Sequence, residues 1–148
     1  MFAVDTNVLL YAVNENCEEH PACGSLVRRW RLGKLPWFVS WGVLYEFLRV
    51  STHPRIFPSP LAPAEAMRFL GGILAAPALT VLEHSQRHQA VLEQTLAEVP
   101  EARGNLVHDA HLAVLMREHG IHRVYTRNAV DFQKFPFLEV IDPLNERP

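Results

Sequence analysis

The sequence predicts an α/β domain in which a parallel sheet is covered by helices on both faces. Short apolar runs typical of strands alternate along the chain with longer segments whose apolar residues recur at helical spacing. This alternation favours a parallel sheet, because the connection between parallel strands is long enough to hold a helix. The chain has 148 residues and 49% hydrophobic residues, which suits one globular domain over residues 1–148.

In the first part of the chain, strands and helices follow one another with clear boundary residues. The apolar run 1–4 predicts a strand that ends at Asp5, and Gly33 closes the second helix. Ser40, a favoured N-cap residue, follows a second strand and starts a third helix. The predicted elements are strands 1–4 and 37–40 and helices 6–15, 21–33 and 41–52.

A proline-rich loop separates these elements from the rest of the chain. Residues 53–63 contain four prolines, which exclude regular structure there. Beyond the loop, Gly120 ends a helix that contains Asp109. The other predicted elements are helices 64–76 and 85–99 and strands 79–84, 122–126 and 138–142.

Four acidic residues occupy positions where such a fold would bring them together. Asp5 directly follows a strand, Asp131 follows a later strand after a short turn, and Glu46 lies on the helix after the second strand. Asp109 lies on an apolar helix face. Ligands of α/β sheets bind beyond the carboxyl ends of the strands, and clustered carboxylates repel one another unless a cation lies among them. Mg²⁺ or Mn²⁺ would suit such oxygen ligands and would activate water for phosphodiester hydrolysis.

Three of the four acids also have an ordinary structural interpretation. Asp5 is a good N-cap for the helix that follows it. Glu46 can pair with Arg49 on the helix surface, and Asp131 suits a turn after a strand. Asp109 has no such explanation, because a carboxylate on an apolar face costs several kcal/mol unless it is paired or bound to metal.

Four segments of the sequence resemble the PIN-domain ribonucleases, specifically the VapC toxins of bacterial VapBC toxin–antitoxin modules. In chain order the segments read VDTNVLL, LYEFLRV, HDAHLAVLM and YTRNAVDFQKFPFLEVIDP, and together they span nearly the whole chain. The resemblance implies a three-layer α/β/α fold with a central, mainly parallel sheet. It also implies an endoribonuclease that depends on Mg²⁺ or Mn²⁺.

The resemblance assigns roles to individual residues. Asp5, Glu46 and Asp109 match the three most regular acids of the family, and Asp131 is taken as the fourth. The family's fourth motif, Thr followed by any residue and then Asp or Asn, is matched by residues 126–128, which leaves open whether Asn128 or Asp131 faces the site. All four acids are predicted to be catalytic and to bind one or two metal ions. The residues predicted to orient waters or carboxylates are Thr6, Thr126 and Asn128.

The implied partners are an RNA substrate, a cognate VapB-type antitoxin and a second copy of the chain in a homodimer. The N-terminus lacks a basic region and a long apolar stretch, so we expect a cytoplasmic protein without a membrane segment. A formal net charge of −2 excludes a generally basic, nucleic-acid-coating protein. The sequence does not identify the RNA that is cut.

Other groups of residues allow a second interpretation. Cys17, His20 and Cys23 could suggest zinc, but they lack a fourth ligand. No HExxH signature accompanies the two histidine pairs, which we interpret as polar flanks of helices. These pairs are His84 with His88 and His108 with His111. The basic stretch 28–34, which contains a Trp, suits either an RNA contact or an exposed helix face.

Two alternative functions follow from the same motifs. A phosphatase of the haloacid dehalogenase type also begins with a strand and an Asp, but it needs a second acid two residues later, where this chain has Asn7. A degenerate PIN domain would bind RNA or protein without cutting it. Asn128, which carries no charge, keeps that alternative open.

Overall fold

In the computed structural model, which describes residues 1–146, five parallel strands form one sheet and seven helices pack around it. The strands are β1 (Phe2–Val4), β2 (Trp37–Ser40), β3 (Leu79–Leu82), β4 (Arg123–Tyr125) and β5 (Glu139–Ile141). The helices are α1 (Thr6–Val13), α2 (His20–Leu32), α3 (Trp41–Ser51), α4 (Pro63–Leu74), α5 (His88–Glu98), α6 (Leu106–Glu118) and α7 (Ala129–Phe132).

The strand order is β3-β2-β1-β4-β5, with every neighbouring pair parallel. From β1 the chain builds outward through β2 and β3, and it then returns to add β4 and β5 on the other side of β1. The order therefore reverses between β1 and β4, the kind of position where α/β sheets bind ligands. The prediction of a parallel sheet within a three-layer α/β/α fold is confirmed.

The central strand lies in the middle of the hydrophobic core. Phe2, Ala3 and Val4 are all buried, as expected for a strand covered by helices on both faces. Trp30 packs against Phe2 and Tyr125 with ring centroids 4.9 and 4.8 Å away, respectively. Because Trp30 is buried, the aromatic residue of the basic stretch is not available for stacking on RNA bases.

Two details of the secondary structure differ from the sequence prediction. Helix α5 begins at His88 rather than at residue 85, because Ser85 binds Glu118 of α6 through both its backbone N–H and its hydroxyl. The four-residue helix α7 is too short to show helical periodicity in the sequence. None of the helices within residues 1–146 is both long and apolar enough to span a membrane.

Candidate active site

Asp5 and Thr126 meet where the central strands β1 and β4 end. The Asp5 backbone N–H donates to the Tyr125 carbonyl (3.0 Å), continuing the pairing of the two strands by one step. The Thr126 hydroxyl donates to Asp5 Oδ2 at 2.7 Å. The carboxylate of the first motif is therefore held by the last motif, 121 residues away along the chain.

Asp5 is both a helix cap and a buried acid. Its Oδ1 accepts the Thr6 backbone N–H at 2.7 Å, so the N-cap interpretation is correct. Its Oδ2 also accepts from the Asn7 side-chain amide at 2.6 Å. Burial raises the pKa of Asp5 to about 6; hydrogen bonds from Thr126 and Thr6 oppose the increase, and the charge of Glu46 adds to it.

Glu46 reaches the same edge of the sheet from helix α3. Ser40 at the end of β2 caps this helix by accepting the Val43 N–H at 3.2 Å, which places Glu46 about one and a half turns from the strand. Glu46 Oε2 accepts the Thr6 hydroxyl at 3.0 Å. Its Oε1 lies 3.6 Å from Arg49, so the predicted surface pair is present as well.

Asp109 faces the cleft from helix α6, held in place by the helix's buried side. Leu106, Ala110 and Leu112 are buried around it, while Asp109 itself is only partly buried. Burial, together with the charges of Asp5, Asp131 and Glu46, raises the pKa of Asp109 to about 7, against a smaller opposing effect of Lys134. Within residues 1–146, Lys134 pairs with Asp131 and no basic side chain forms an ion pair with Asp109, as expected for a carboxylate that needs a cation.

Asp131 and Asn128 lie side by side at helix α7. The Asn128 amide donates to Asp131 Oδ2 at 2.9 Å and makes a longer contact of 3.4 Å with Asp109 Oδ2. Lys134 lies 2.6 Å from Asp131 Oδ1, and its hydrogen bond together with that of Asn128 lowers the pKa of Asp131. Both residues therefore face the cleft, but Asp131 already has a positively charged partner.

The acids line two connected spaces. A small cavity of about 30 Å³, large enough for an ion or a water, is bordered by Asp5, Glu46 and Asp109. It adjoins an open cleft of about 770 Å³, which is lined by Glu46, Asp109, Asn128 and Asp131. Most of the potential ligands around both spaces are carboxylate, hydroxyl and amide oxygens, the ligands that Mg²⁺ and Mn²⁺ prefer, and His108 and His111 are the histidines in the linings.

Asn7 belongs to this network although the sequence offered it no role. Its amide donates to Asp5 Oδ2 (2.6 Å) and to the Thr126 hydroxyl (3.0 Å), and its oxygen accepts the Arg127 backbone N–H (3.1 Å). One side chain thus joins the segments that follow β1 and β4. The sequence feature that could have pointed to Asn7 is its position in the first helical turn, directly after a strand and its capping residue Asp5.

The structure groups the histidines differently from the pairs seen in the sequence. His108 lines the cleft, but His111 turns towards His84 and His88. Within residues 1–146, these three histidines are the group of potential metal ligands whose atoms lie within 4.8 Å of one another, whereas the four acids surround a wider space. The cysteine group does not gather: Cys17 contacts the Asn14 carbonyl, and His20 contacts that of Tyr11.

Comparison with known proteins identifies the family of the chain. The profile of the family described as PIN domain matches residues 2–138. The chain belongs to the PIN-domain family. The ribonuclease VapC48 of Mycobacterium tuberculosis is 33% identical to this PIN domain over 141 residues, covering 95% of this chain and 96% of that protein. The resemblance drawn from the four motifs is thereby confirmed.

Two solved structures have the same fold as this PIN domain. VapBC2 from Rickettsia felis, bound to a DNA fragment from the promoter, matches with a TM-score of 0.64 and 18% identity over 95% of this chain and 96% of that one. FitAcB from Neisseria gonorrhoeae matches with a TM-score of 0.69 and 16% identity over 99% of this chain and 100% of that one. At these identities the likeness establishes the fold. PIN-domain nucleases as a class use divalent metals.

Proposed function

We propose that this PIN domain is the endoribonuclease toxin of a toxin–antitoxin pair and that it needs Mg²⁺ or Mn²⁺. The observation that carries the proposal is the small cavity bordered by Asp5, Glu46 and Asp109 at the strand-order reversal. Carboxylates held together by the fold are costly without a cation, and the raised pKa values of Asp5 and Asp109 express that cost. Ribonuclease activity is also what the name of the relative VapC48 states.

The four acids divide into two kinds in this proposal. Asp5 and Asp109 hold the principal cation, because they are the two whose burial and mutual repulsion favour a positive charge nearby. Glu46 and Asp131 complete the pocket, each already near a basic side chain, Arg49 or Lys134. A divalent cation there supplies a water of lowered pKa and positive charge against the phosphate.

Three polar side chains keep the carboxylates in orientation. Thr6 donates to Glu46, Thr126 donates to Asp5, and Asn128 donates to Asp131. Glu46 Oε2 and Asp131 Oδ2 each accept one such bond and so keep a lone pair for a metal or a water. Asp5 Oδ2 accepts two, and the lone pair that Asp5 keeps is on Oδ1, which accepts only the Thr6 backbone N–H. We therefore assign Thr6, Thr126 and Asn128 positioning roles rather than catalytic ones, and we add Asn7 to them.

The mouth of the cleft suits a single-stranded RNA segment. Tyr45 is 69% exposed and lines the cleft beside Arg49. Trp41 is also exposed, and its ring lies 6.4 Å from that of Tyr45. Exposed aromatic rings stack on bases, and a nearby guanidinium binds phosphate.

The proposed protein partner is a cognate antitoxin. The two similar structures described above, VapBC2 and FitAcB, are both named as assemblies of two components. We infer that residues 1–148 act as one domain that such an antitoxin neutralises. The homodimer that the resemblance implied stays a prediction.

The two alternatives are less well supported. A phosphatase would need an acid at position 7, but Asn7 is an amide whose hydrogen bonds are all used within the network. A degenerate, non-cutting PIN domain would have lost acids, whereas Asp5, Glu46 and Asp109 still border one cavity.

The experiment uses the chain purified away from any antitoxin. The parent and the Asp109→Asn variant are each incubated with structured RNA and with a phosphomonoester, in Mg²⁺, Mn²⁺ or EDTA. The control is Glu101→Gln, which removes an exposed carboxylate outside the cleft. We expect RNA cleavage that requires the metal, is unchanged in Glu101→Gln and falls by two or more orders of magnitude in Asp109→Asn.

Other results would decide against the proposal. Equal cleavage by the parent and Asp109→Asn would identify a contaminating nuclease. Turnover of the monoester alone would favour the phosphatase. RNA binding without cleavage in either metal would favour the degenerate domain.

A further inference from the structure

Three histidine side chains converge beside the acidic site, and one of them, His111, also lines the small cavity there. His84 lies in the connection between β3 and α5, His88 is the first residue of α5, and His111 lies on α6. One ring nitrogen from each lies within 4.8 Å of the other two. The Nε2 atoms of His84 and His111 are 3.1 Å apart. Two neighbouring histidines and a third more than 20 residues later thus direct three imidazoles to one point.

The spacing is close to that of a tetrahedral metal site. With metal–nitrogen bonds of 2.0–2.1 Å, two ligand nitrogens of such a site lie roughly 3.3 Å apart. The His84–His111 pair is within a few tenths of an ångström of that separation. His84 is exposed, so a rotation of its side chain can close the wider separations.

A buried carboxylate orients one of the three rings. Glu118 has no exposed side-chain surface, and it accepts His88 Nδ1 at 2.7 Å together with the backbone and hydroxyl groups of Ser85. Because a carboxylate only accepts, the proton lies on Nδ1 and the Nε2 lone pair of His88 is available. A carboxylate behind a histidine is the usual support of a metal-bound imidazole.

Close backbone packing provides space for the third ring. A Cβ atom on Gly42 would lie 2.9 Å from His111 Nδ1, so the ring occupies space that a larger residue would take. Its other nitrogen, Nε2, faces His84. His111 thus has one edge against the start of α3 and the other directed at the cluster.

We propose that His84, His88 and His111 bind a divalent transition cation of the zinc class, with Glu118 orienting His88 and water as the fourth ligand. Imidazole nitrogens favour zinc, nickel or copper over magnesium, which distinguishes this site from the acidic cleft. The ion would fasten the start of α5 to α6, the helix that carries Asp109. The proposal does not depend on RNA cleavage.

The experiment titrates metal-free, full-length protein with Co²⁺ and with Zn²⁺ in excess Mg²⁺, which occupies the acidic cleft. Tetrahedral Co²⁺ is followed by its visible absorption, and Zn²⁺ by competition with a chromogenic chelator. We expect one equivalent per chain, both in the parent and in Asp109→Asn. Affinity should fall at least about a hundredfold in His84→Ala and His88→Ala and about ten- to a hundredfold in Glu118→Gln.

The control is His122→Ala, an exposed histidine in the loop before β4 that should leave binding unchanged. Zn²⁺ should raise the melting temperature of the parent by a few degrees and leave that of His84→Ala unchanged. His84 is exposed, so its variant should melt like the parent in chelator. Absence of binding in excess Mg²⁺ would overturn the proposal, as would binding that Asp109→Asn abolishes and His84→Ala retains.

Discussion

The hydroxyl of Thr126 donates a 2.7 Å hydrogen bond to Asp5 Oδ2 and so joins the ends of the adjacent strands β4 and β1. The same hydroxyl oxygen accepts from the Asn7 amide at 3.0 Å and from the Asn128 backbone N–H at 2.8 Å. A single buried side chain thus sets the positions of three groups around the candidate metal site. We expect the loss of this bond to affect cleavage more than the small net free energy of one hydrogen bond suggests.

Thr126→Val should reduce both stability and cleavage. Valine has nearly the same shape, but it removes one hydrogen bond each from Asp5, Asn7 and the Asn128 backbone N–H, and a buried polar group left unpaired costs about 1–3 kcal/mol. Misplacement of Asp5 should lower the affinity for Mg²⁺ by about ten- to a hundredfold. Denaturant unfolding and cleavage rates across a Mg²⁺ titration measure the two effects. Thr126→Ser should restore cleavage, and no recovery would indicate that the methyl group, rather than the hydroxyl, is required.

Asn7→Asp should shift the pH dependence of cleavage to higher pH. The new carboxylate would face Asp5 Oδ2, from which the Asn7 amide is now 2.6 Å away, and the repulsion would raise the pKa of Asp5 above about 6. A higher pH is then needed to deprotonate Asp5 before the site binds metal. Rates measured from acidic to alkaline pH test this, with Asn14→Asp, at the half-buried C-cap of α1, as the control. An unchanged profile would mean that Asp5 does not limit metal binding.

Asp109→Asn should stabilise the metal-free protein above neutral pH. The pKa of Asp109 is about 7 in the folded state and near 3.8 when unfolded, so the folded state binds more protons between these values. Its ionisation therefore destabilises the fold fully above about pH 7 and not at all below about pH 4. We expect a gain of about 2 kcal/mol at pH 8 that disappears as the pH falls. Urea unfolding in EDTA measures it, and a gain that persists at low pH would exclude ionisation as the cause.

Asp131→Asn should reduce cleavage less than Asp109→Asn does. Lys134 and Asn128 already bind Asp131, and its pKa is lowered rather than raised, so its charge is partly compensated without metal. We expect a loss of about tenfold against at least about a hundredfold for Asp109→Asn at equal Mg²⁺. Single-turnover cleavage rates compare the two. Equal losses would place Asp131 among the principal ligands.

Tyr45→Ala should weaken RNA binding without affecting the fold. Its ring is 69% exposed at the mouth of the cleft, and one stacked base contributes about 1–3 kcal/mol. KM for RNA should therefore rise between about five- and a hundredfold, while kcat and Tm stay nearly constant. Met67→Ala, an exposed apolar residue on α4, serves as the control. If KM is unchanged in both variants, the RNA follows another path.

Much of the fold could be predicted because its signals are local. Apolar runs, the capping Ser40 and the closing Gly33 and Gly120 all mark element ends within a few residues. The alternation of strand and helix then favours a parallel sheet on general grounds. Helix α7 escaped prediction because four residues are too few to show a period, and the start of α5 was displaced by a bond to Glu118 on another helix.

The candidate acids were also found from the sequence, since Asp5 follows a strand and Asp109 lies on an apolar helix face. Local sequence therefore specifies which elements form and which carboxylates lie near their ends. The packing of distant segments is what makes Asn7 bridge Asp5 and Thr126, and what brings His111 to His84 and His88 rather than to His108. Capping and periodicity act over a few residues, whereas hydrogen bonds between distant segments depend on strand order and helix packing, which no local pattern encodes.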